Sequence, residues 1–453
     1  MELSEINLLD LDTFVRGVPH EWFTYLRHHA PVYRHPEPAG GPGFWVITRY
    51  DDVVQVNRDA RTFSSEQERG GVVQLEDLPL DDFNRGGRMM LTMDAPDHTR
   101  YRSLVNKGFT PRMIGALGAH IRDITVSILE RAFERRECDF VVDVAAELPL
   151  QVIAELLGVP MEDRHRVFQW SNRMIGSKDP EYAISDEEVR QAQLEMFVYA
   201  NTLAADRRKN PRDDLVTTLL NADIDGDRLS EMDYNLFFLL LAVAGNETTR
   251  NALSHGVHAL IQHPNQYRML VDDPTLVPSA TEEILRWASP VMYFRRNVTA
   301  NTEVRGQKIK AGDKVTIWYI SANRDESVFD GPFRFDIKRA PNEHVAFGGG
   351  GEHYCLGANL ARMEINIMLE ELVKRAPKAE LIGEVSRLRS NFVNGLKHLG
   401  VRLTPGVRSN AWLMFGGAPR ARGRNSPERA AALEAASATN RGKLAATESK
   451  TNL

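Results

Sequence analysis

One ten-residue stretch limits the fold of this 453-residue chain more than any other, the apolar run from Leu236 to Gly245. A helix that is apolar on every side is unsuited to a protein surface, so this one is expected to cross an interior. It is about half as long as a membrane-spanning helix, which needs about 20 apolar residues. The run therefore predicts a helix through the centre of a large body and no membrane span.

Most other patterns also indicate helices. The stretch "SATEEILRWASP" begins with an apparent capping box, Ser279 followed by Glu282, and stops before Pro290. Behind Cys355, apolar residues at 4-3-4 spacing predict one helix face: Leu356, Leu360, Met363 and Ile367. Strand patterns are few and short: "FWVITRY", "KVTIWYI" and "LGVRLT". The sequence therefore predicts a mainly α fold with a small β region.

Composition divides the chain into two parts. Residues 1–404 contain no internal repeat or linker and are expected to form one domain. Residues 405–453 form a C-terminal extension that, from about 418, is rich in Ala, Ser, Lys and Arg and has no aromatic residue. Such a segment cannot bury enough apolar surface to fold alone, so we expect it to be largely disordered from about 418.

Charge and cysteine content favour an intracellular protein with a small-molecule ligand. A net charge of −6 and a pI near 6.1 give no reason to expect nucleic acid or an anionic membrane as partner. Two cysteines, Cys138 and Cys355, cannot form a disulfide framework, and the first residues lack the order of a signal peptide. We expect a cytoplasmic protein and a monomer.

The stretch "AFGGGGEHYCLGANLAR" places Cys355 behind four glycines and at the start of a predicted helix. A reactive thiolate needs positive surroundings, which the unpaired N–H groups of a helix N-terminus supply. Glycines have no Cβ, so a flat, bulky ligand can approach the backbone closely. Ligation of haem iron by the thiolate fits this combination. Cys138 lacks these surroundings and is expected to be inert.

The residue types of this loop are also compatible with three different roles. A lone cysteine is more often a small buried hydrophobic residue than a ligand. A zinc site would use His344 and His353, yet zinc prefers four ligands in short spacings and no second cysteine is near. A phosphate-binding loop would need Gly-Lys-Ser or Gly-Lys-Thr after the glycines, which this stretch lacks.

The stretch "FGGGGEHYCLGANLAR" resembles the haem-thiolate loop of the cytochrome P450 monooxygenases, with one residue more between Phe347 and Cys355 than the commonest family loop. The resemblance implies that Cys355 is the axial ligand of the iron in haem b. It also implies that Phe347 packs on the proximal side and that His353 meets a haem propionate. Three small residues are implied to border the haem here: Gly348, Gly357 and Ala361.

The stretch "AVAGNETTR" brings polar residues into the apolar run. It could be a simple helix end, with Gly245 terminating one helix and Asn246 capping the next. It also resembles the oxygen-activation motif of the P450 family. That resemblance implies Thr248 as the catalytic alcohol, Glu247 as the catalytic acid and Gly245 beside the haem. Oxygen activation requires two protons in order, and a local helix distortion is expected to make room for O2.

Two further motifs are similar to family patterns. Glu283 and Arg286 could be an exposed ion pair of little energetic value, but with Arg339 they match the family's buried structural Glu-x-x-Arg set. His98 and Arg102 lie four apart on a helix expected to begin near Asp94, and could be no more than a solvated basic turn. The resemblance implies instead that the two haem propionates are bound by His98, Arg102, Arg296 and His353, with Arg296 favoured over Arg295.

The resemblance extends over about residues 20–404 and implies the P450 fold, a single triangular helical domain with buried haem. The implied reaction inserts one atom of O2 into a C–H bond, with electrons from a ferredoxin and its reductase. The motifs are most similar to those of actinobacterial enzymes that hydroxylate terminal methyl groups of methyl-branched lipids or sterol side chains. A terpene alcohol is the second candidate substrate. A peroxygenase or a haem-thiolate sensor is a further alternative, against which the Glu247–Thr248 pair argues.

An apolar substrate requires an apolar wall, and methionine suits a ligand of irregular shape. Each of the candidates could equally be an ordinary core residue. The pocket residues expected from the sequence are Met89, Met90, Val243, Ala244, Val291 and Met292.

Overall fold

A computed structural model describes residues 1–73, 75, 89–106, 109–183, 185–224 and 227–406. The predicted C-terminal extension lies outside these residues except for its first two. The apolar run from Leu236 to Gly245 lies inside the helix Glu231–Gln262, as its composition predicts. Ser230 caps this helix, because its Oγ accepts a hydrogen bond from the backbone N–H of Asp233 at 3.1 Å.

The described α-helices follow one another along the chain. They are α1 (Leu11–Arg16), α2 (His20–His29), α3 (Tyr50–Arg58), α4 (Asp97–Asn106), α5 (Pro111–Ala116), α6 (Gly118–Arg135), α7 (Glu147–Leu157), α8 (Arg164–Ile175), α9 (Asp186–Lys209), α10 (Leu215–Leu220), α11 (Glu231–Gln262), α12 (Pro264–Asp272), α13 (Val277–Ala288), α14 (Tyr319–Ala322) and α15 (Ala358–Arg375). A π-helix, Phe140–Ala145, precedes α7.

The strands are short and form small sheets. They are β1 (Val32–His35), β2 (Phe44–Ile47), β3 (Phe63–Ser64), β4 (Glu137–Asp139), β5 (Asp223–Ile224), β6 (Asp227–Arg228), β7 (Tyr293–Val298), β8 (Thr302–Val304), β9 (Gln307–Ile309), β10 (Lys314–Trp318), β11 (Lys378–Leu381), β12 (Ser386–Arg387), β13 (Leu396–His398) and β14 (Gly400–Thr404).

The largest sheet has the strand order β1-β2-β10-β7-β3, in which only the β2–β10 pair is parallel. A second sheet has the order β11-β14-β4, and the pairs β5–β6, β8–β9 and β12–β13 are hairpins. The three predicted strands are β2, β10 and β14. The mainly α fold with a small β region is therefore confirmed. In the part of the chain that the structure describes, no helix combines the length and apolarity needed to cross a membrane.

Helix α11 lies at the centre of the main core, where it packs against α7, α13 and α9. Two glycines allow this close packing. A Cβ on Gly245 would lie 3.0 Å from Ile153 of α7, and a Cβ on Gly256 would lie 2.8 Å from Ile284 of α13. The helix continues without interruption through Gly245. The alternative of a helix end at Gly245 is therefore wrong, and α11 is regular α-helix where a local distortion was expected.

The capping box predicted at Ser279 is also wrong. Helix α13 begins two residues earlier, at Val277, with Pro278 in its first turn, where a missing N–H costs nothing. The Ser279 hydroxyl donates instead to the carbonyl of Leu276 at 2.9 Å. The Glu282 carboxylate binds other elements, because it accepts a hydrogen bond from Arg362 Nε at 2.7 Å.

Glu283, Arg286 and Arg339 form one buried network. Arg286 Nε and Nη2 each donate to the Glu283 carboxylate at 2.8 Å, and Arg339 Nε donates to it at 3.1 Å. Glu283 and Arg286 are fully buried, so the alternative of an exposed ion pair does not describe them. The Asp336 N–H donates to the same carboxylate at 2.9 Å. The network thus ties α13 to the segment that leads to the cysteine loop.

We predict that Glu283→Ala lowers the free energy of unfolding by about 3–5 kcal/mol, because it leaves two arginines without their buried counter-charge. Urea denaturation of the full chain measures the loss. The matched control is Glu187→Ala, which removes a solvent-exposed pair with Arg190, and there we expect a loss below about 1 kcal/mol. Equal losses for the two variants would show that the buried network does not stabilise the fold.

Candidate active site

A cavity of about 240 Å³ lies between α11 and the loop that carries Cys355 into α15. Its lining brings together residues from α4, α11, β7, α14 and α15 that are far apart in the sequence. The residues expected beside haem all line it: His98, Arg102, Gly245, Arg296, Phe347, Gly348, His353, Cys355, Gly357 and Ala361.

Cys355 lies three residues before α15, with its accessible surface turned into the cavity. Its backbone N–H donates to the carbonyl of Phe347 at 3.0 Å, which closes the loop. Burial raises the pKa of the Cys355 thiol, although the Gly357 N–H and the charges of Arg102 and Arg362 favour the thiolate. A thiol that coordinates a metal ion loses its proton outright, so these surroundings suit a metal ligand.

The four glycines before Cys355 have a different role from the expected one. Gly348 lines the cavity, but the next three glycines pack the loop against α3. A Cβ on Gly349 would lie 2.8 Å from Val54 Cγ2, and a Cβ on Gly351 would lie 2.5 Å from the carbonyl oxygen of Asn57. Gly351 also has a φ of +82°, a conformation that other residues rarely adopt. These glycines therefore hold the loop in place and do not provide a flat ligand face.

Basic side chains cluster at one side of the cavity. The rings of His98 and His353 lie 4.2 Å apart between centroids. Burial, with the nearby charge of Arg102, lowers the pKa of His98 to about 4. Burial, with the charge of Arg296, lowers the pKa of His353 to about 2. Within the described ranges, His98 Nδ1 and His353 Nε2 are buried without a hydrogen-bond partner.

These groups need an anionic partner that faces the cavity. A group that carries two carboxylates and a metal ion for Cys355 would supply counter-charges to Arg102 and Arg296 and bind the free ring nitrogens of His98 and His353. Haem b has this composition, and the residues present therefore fit it.

Sequence reasoning missed the residues that orient Arg296. Its Nη2 donates to Asn57 Oδ1 at 3.1 Å, and the hydroxyl of Tyr319 donates to the same oxygen at 3.3 Å. Asn57 lies on α3 and Tyr319 begins α14, so no local spacing connects them with Arg296. Arg295 points away from the cavity and donates to Asn297 Oδ1 at 2.9 Å.

The zinc alternative finds no ligand set. Among the residues described, no three His, Cys, Asp or Glu side chains lie close enough together to hold a metal ion. His344 instead contacts Glu282, with 3.0 Å between Nε2 and a carboxylate oxygen. Within that part of the chain, Cys355 thus lacks the further protein ligands that a zinc site would need.

Thr248 and Glu247, the residues expected as catalytic alcohol and acid, point in different directions from α11. Thr248 lines the cavity, and its hydroxyl donates to the carbonyl of Ala244 at 3.0 Å. Glu247 is buried outside the cavity lining and accepts a hydrogen bond from Arg250. Burial raises the pKa of Glu247, and the charge and hydrogen bond of Arg250 lower it in part.

Glu364 is a buried acid in the cavity wall that the sequence reasoning missed. It lies on α15, and burial raises its pKa to about 8, with a hydrogen bond to Thr249 acting in the opposite direction. The group is therefore mostly protonated at neutral pH. The sequence did contain a signal for this residue, because Glu364 is an acidic residue within the apolar pattern of α15.

The apolar wall differs in part from the expected one. Met90, Ala244 and Val291 line the cavity, whereas Met89, Val243 and Met292 do not. Met89 and Val243 pack against the main core, and Met292 is buried with Trp318 in a separate cluster. Additional lining residues come from α7, α11, α13 and β7: Ile153, Leu240, Leu241, Leu285 and Phe294.

Comparisons with known proteins show the family to which this chain belongs. A family model for cytochrome P450 matches residues 150–376. The chain is 44% identical over 398 residues to a steroid C26-monooxygenase of Rhodococcus jostii, covering 86% of this chain and 83% of that protein. It is 42% identical over 410 residues to a methyl-branched lipid omega-hydroxylase of Mycobacterium tuberculosis, covering 88% and 94%.

Solved structures show the same fold. A Mycobacterium marinum cytochrome P450 in complex with pseudoionone is 37% identical, with a TM-score of 0.81, covering 86% of this chain and 97% of that one. A cytochrome P450 of Bacillus megaterium in complex with testosterone is 33% identical, with a TM-score of 0.76, covering 87% and 99%. The chain therefore belongs to the cytochrome P450 family and is a P450 monooxygenase.

We predict that Cys355→Ser abolishes the red-shifted ferrous-carbonyl band, because a serine hydroxyl cannot supply the thiolate that produces it. Absorbance spectra of the reduced, CO-treated protein measure the band. The control is Cys138→Ser, which should retain it, because burial raises the pKa of Cys138 to about 12 and keeps that thiol protonated. A band that survives in Cys355→Ser would place the iron ligand elsewhere.

Proposed function

We propose that this protein hydroxylates the terminal methyl group of a branched apolar substrate, either a methyl-branched lipid or a sterol side chain. The observation that carries the proposal is an apolar cavity wall that faces Thr248 and Cys355. The relatives support this choice of substrate. One is named for oxidation of a steroid at C26, and the other is named for hydroxylation of a methyl-branched lipid at its omega end. Both substrates end in a branched alkyl group.

In this proposal Cys355 would hold the haem iron, and the propionates would be bound by His98, Arg102, Arg296 and His353. Bound haem would supply the activation of O2. Thr248 would hold a proton-donating hydroxyl at the cavity, with Glu247 as its source of protons through water. Met90, Val291 and Phe294 would exclude bulk water from an alkyl chain and direct its end towards the reacting centre.

We infer that electrons come from a ferredoxin and its reductase, because the sequence shows neither a flavin-binding nor a nicotinamide-binding motif. Reconstitution tests this inference against the peroxygenase and sensor alternatives. Product with ferredoxin, reductase and NAD(P)H, and little with hydrogen peroxide alone, is expected. Product with peroxide alone would favour a peroxygenase, and no product with either would favour a sensor.

A terpene alcohol is a second candidate substrate. The complex of the Mycobacterium marinum P450 with pseudoionone, an acyclic terpenoid, favours it. Terpene alcohols are shorter and carry a polar end, so they would fill less of the apolar wall.

We predict that a methyl-branched fatty acid and cholest-4-en-3-one shift the haem spectrum from low to high spin, because their alkyl ends displace water at the iron. Mass spectrometry of the products should then identify the terminal alcohol. A straight-chain fatty acid of equal length is the control, and it should bind more weakly. Tighter binding of terpene alcohols such as farnesol, or oxidation at an internal carbon, would contradict the proposal.

We predict that Thr248→Ala lowers product formed per electron by about tenfold or more, because a positioned proton donor contributes factors of about 10² to 10⁴. The measurement compares NAD(P)H consumed, hydrogen peroxide released and product formed. The control is Thr202→Ala on α9, which removes the same type of hydroxyl-to-carbonyl bond, at 2.8 Å, away from the cavity. Unchanged coupling in Thr248→Ala would remove this residue from proton delivery.

A further inference from the structure

The carboxyl group of Glu247 on α11 is buried beside an arginine that contacts α8. One of its oxygens, Oε2, accepts a hydrogen bond from Nη2 of Arg250, three residues further along the same helix. The other oxygen, Oε1, has no hydrogen-bond partner among the described residues. A buried carboxylate oxygen is costly to leave unpaired, so this position suits an ordered water molecule.

Helix α8 holds the arginine that binds this acid. Arg250 Nη1 donates to Asn172 Oδ1 at 2.8 Å, and the Arg250 guanidinium carbon lies 5.6 Å from the centre of the Phe168 ring. Asn172 and Phe168 both belong to α8. Arg250 is 2% exposed, so few alternative positions are open to its side chain. A displacement of α8 would therefore move Arg250, and with it the carboxylate of Glu247.

More unpaired polar atoms lie on the same two helices. Asn246 lies on α11 one turn before Arg250, and Ser171 is next to Asn172 on α8. Both are 1% exposed. Both amide atoms of Asn246 and the hydroxyl of Ser171 lack a hydrogen-bond partner within the residues that the structure describes. Buried polar groups of this kind are normally paired through ordered water. The contact between α8 and α11 is thus suited to water that exchanges protons with Glu247.

The charges near Glu247 are unevenly distributed. Arg250 is the cation that acts on it within the described ranges. Tyr182, in the segment after α8, is the neighbouring titratable group, and burial raises its pKa to about 12, so it stays neutral. Glu181 and Asp179 act on Tyr182. On the α7 side, the residue nearest to Gly245 is the apolar Ile153. Burial therefore raises the pKa of Glu247, and Arg250 is the charged group that opposes this effect.

We propose that Arg250 and Asn172 are positioning residues that hold the Glu247 carboxyl group in place and adjust how readily it takes up and releases a proton, and that they couple the position of α8 to proton delivery at Thr248. The proposal rests on the proposed roles of Glu247 and Thr248. When Glu247 passes a proton to water beside Thr248, its O–H bond breaks and it becomes a carboxylate. A proton from water at the α8 contact then restores the acid, so that protons balance in each cycle.

The test titrates Glu247 in the ferric holoenzyme without substrate or electron donor. Difference infrared spectroscopy follows the protonated carboxyl band against pH, and Glu247→Gln identifies the band. Arg250→Gln removes the cation and should raise the midpoint by about one pH unit or more. Arg250→Lys keeps the charge and should stay close to the wild-type midpoint. Asn172→Ala should raise the midpoint by a smaller amount, because it releases the arginine.

A double variant distinguishes positioning from a general structural effect. Because Asn172 acts through Arg250, adding Asn172→Ala to Arg250→Gln should cause no further shift of the midpoint. The control is Arg166→Gln on α8, which removes an ion pair with Asp163 at 3.3 Å and should leave the midpoint unchanged. An unshifted midpoint in Asn172→Ala, an additive shift in the double variant, or an equal shift in Arg166→Gln would overturn the proposal.

Turnover provides the second measurement. The amount of product formed per electron should fall to half at a certain pH, and in each variant this pH should move upward together with the carboxyl midpoint. The spin shifts that substrates induce should stay unchanged. A pH profile that does not follow the midpoint would overturn the coupling to Thr248. If the lipid substrates fail to bind, the infrared titration still tests the two positioning residues. Failure of the proposed substrate is therefore distinguishable from failure of this inference.

Discussion

The passage of α11 through the core is the constraint on which the rest of the structure depends. Its apolar residues must be covered on all sides, so α7, α9 and α13 pack around it, and Gly245 and Gly256 allow close contact. The polar residues in the middle of this helix must then find partners far from water. Thr248 turns to its own backbone and the cavity, whereas Glu247 turns to Arg250 and α8.

The opposite wall of the cavity is held by a different kind of interaction. Glu283 accepts hydrogen bonds from two arginines and fixes the segment before the cysteine loop. Gly349 and Gly351 let that loop pack directly on α3. Cys355 is therefore positioned by packing and buried charge before any ligand binds. Such a rigid support is what a metal ligand needs, because small displacements at a reacting centre are costly.

Two parts of the cavity lining differ in polarity. Arg102 and Arg296 give one part of it a positive character and His98 and His353 add polar ring nitrogens there, while Met90, Val291 and Phe294 keep another part apolar. Carboxylates suit the first part and an alkyl chain suits the second. The same arrangement suits a cavity that binds a charged cofactor next to an apolar substrate.

The sequence by itself determined the features that depend on local spacing and residue type. These include the interior helix, the strands β2, β10 and β14, and the resemblance to the cytochrome P450 family. Tertiary structure decided which way side chains point and which distant residues meet. It directed Glu247 towards Arg250, placed Asn57 against Arg296 and Tyr319 against Asn57, and left Val243 and Met292 outside the cavity. The physical reason is that periodicity fixes a residue's place on its own element, whereas contacts between elements depend on packing across the whole core.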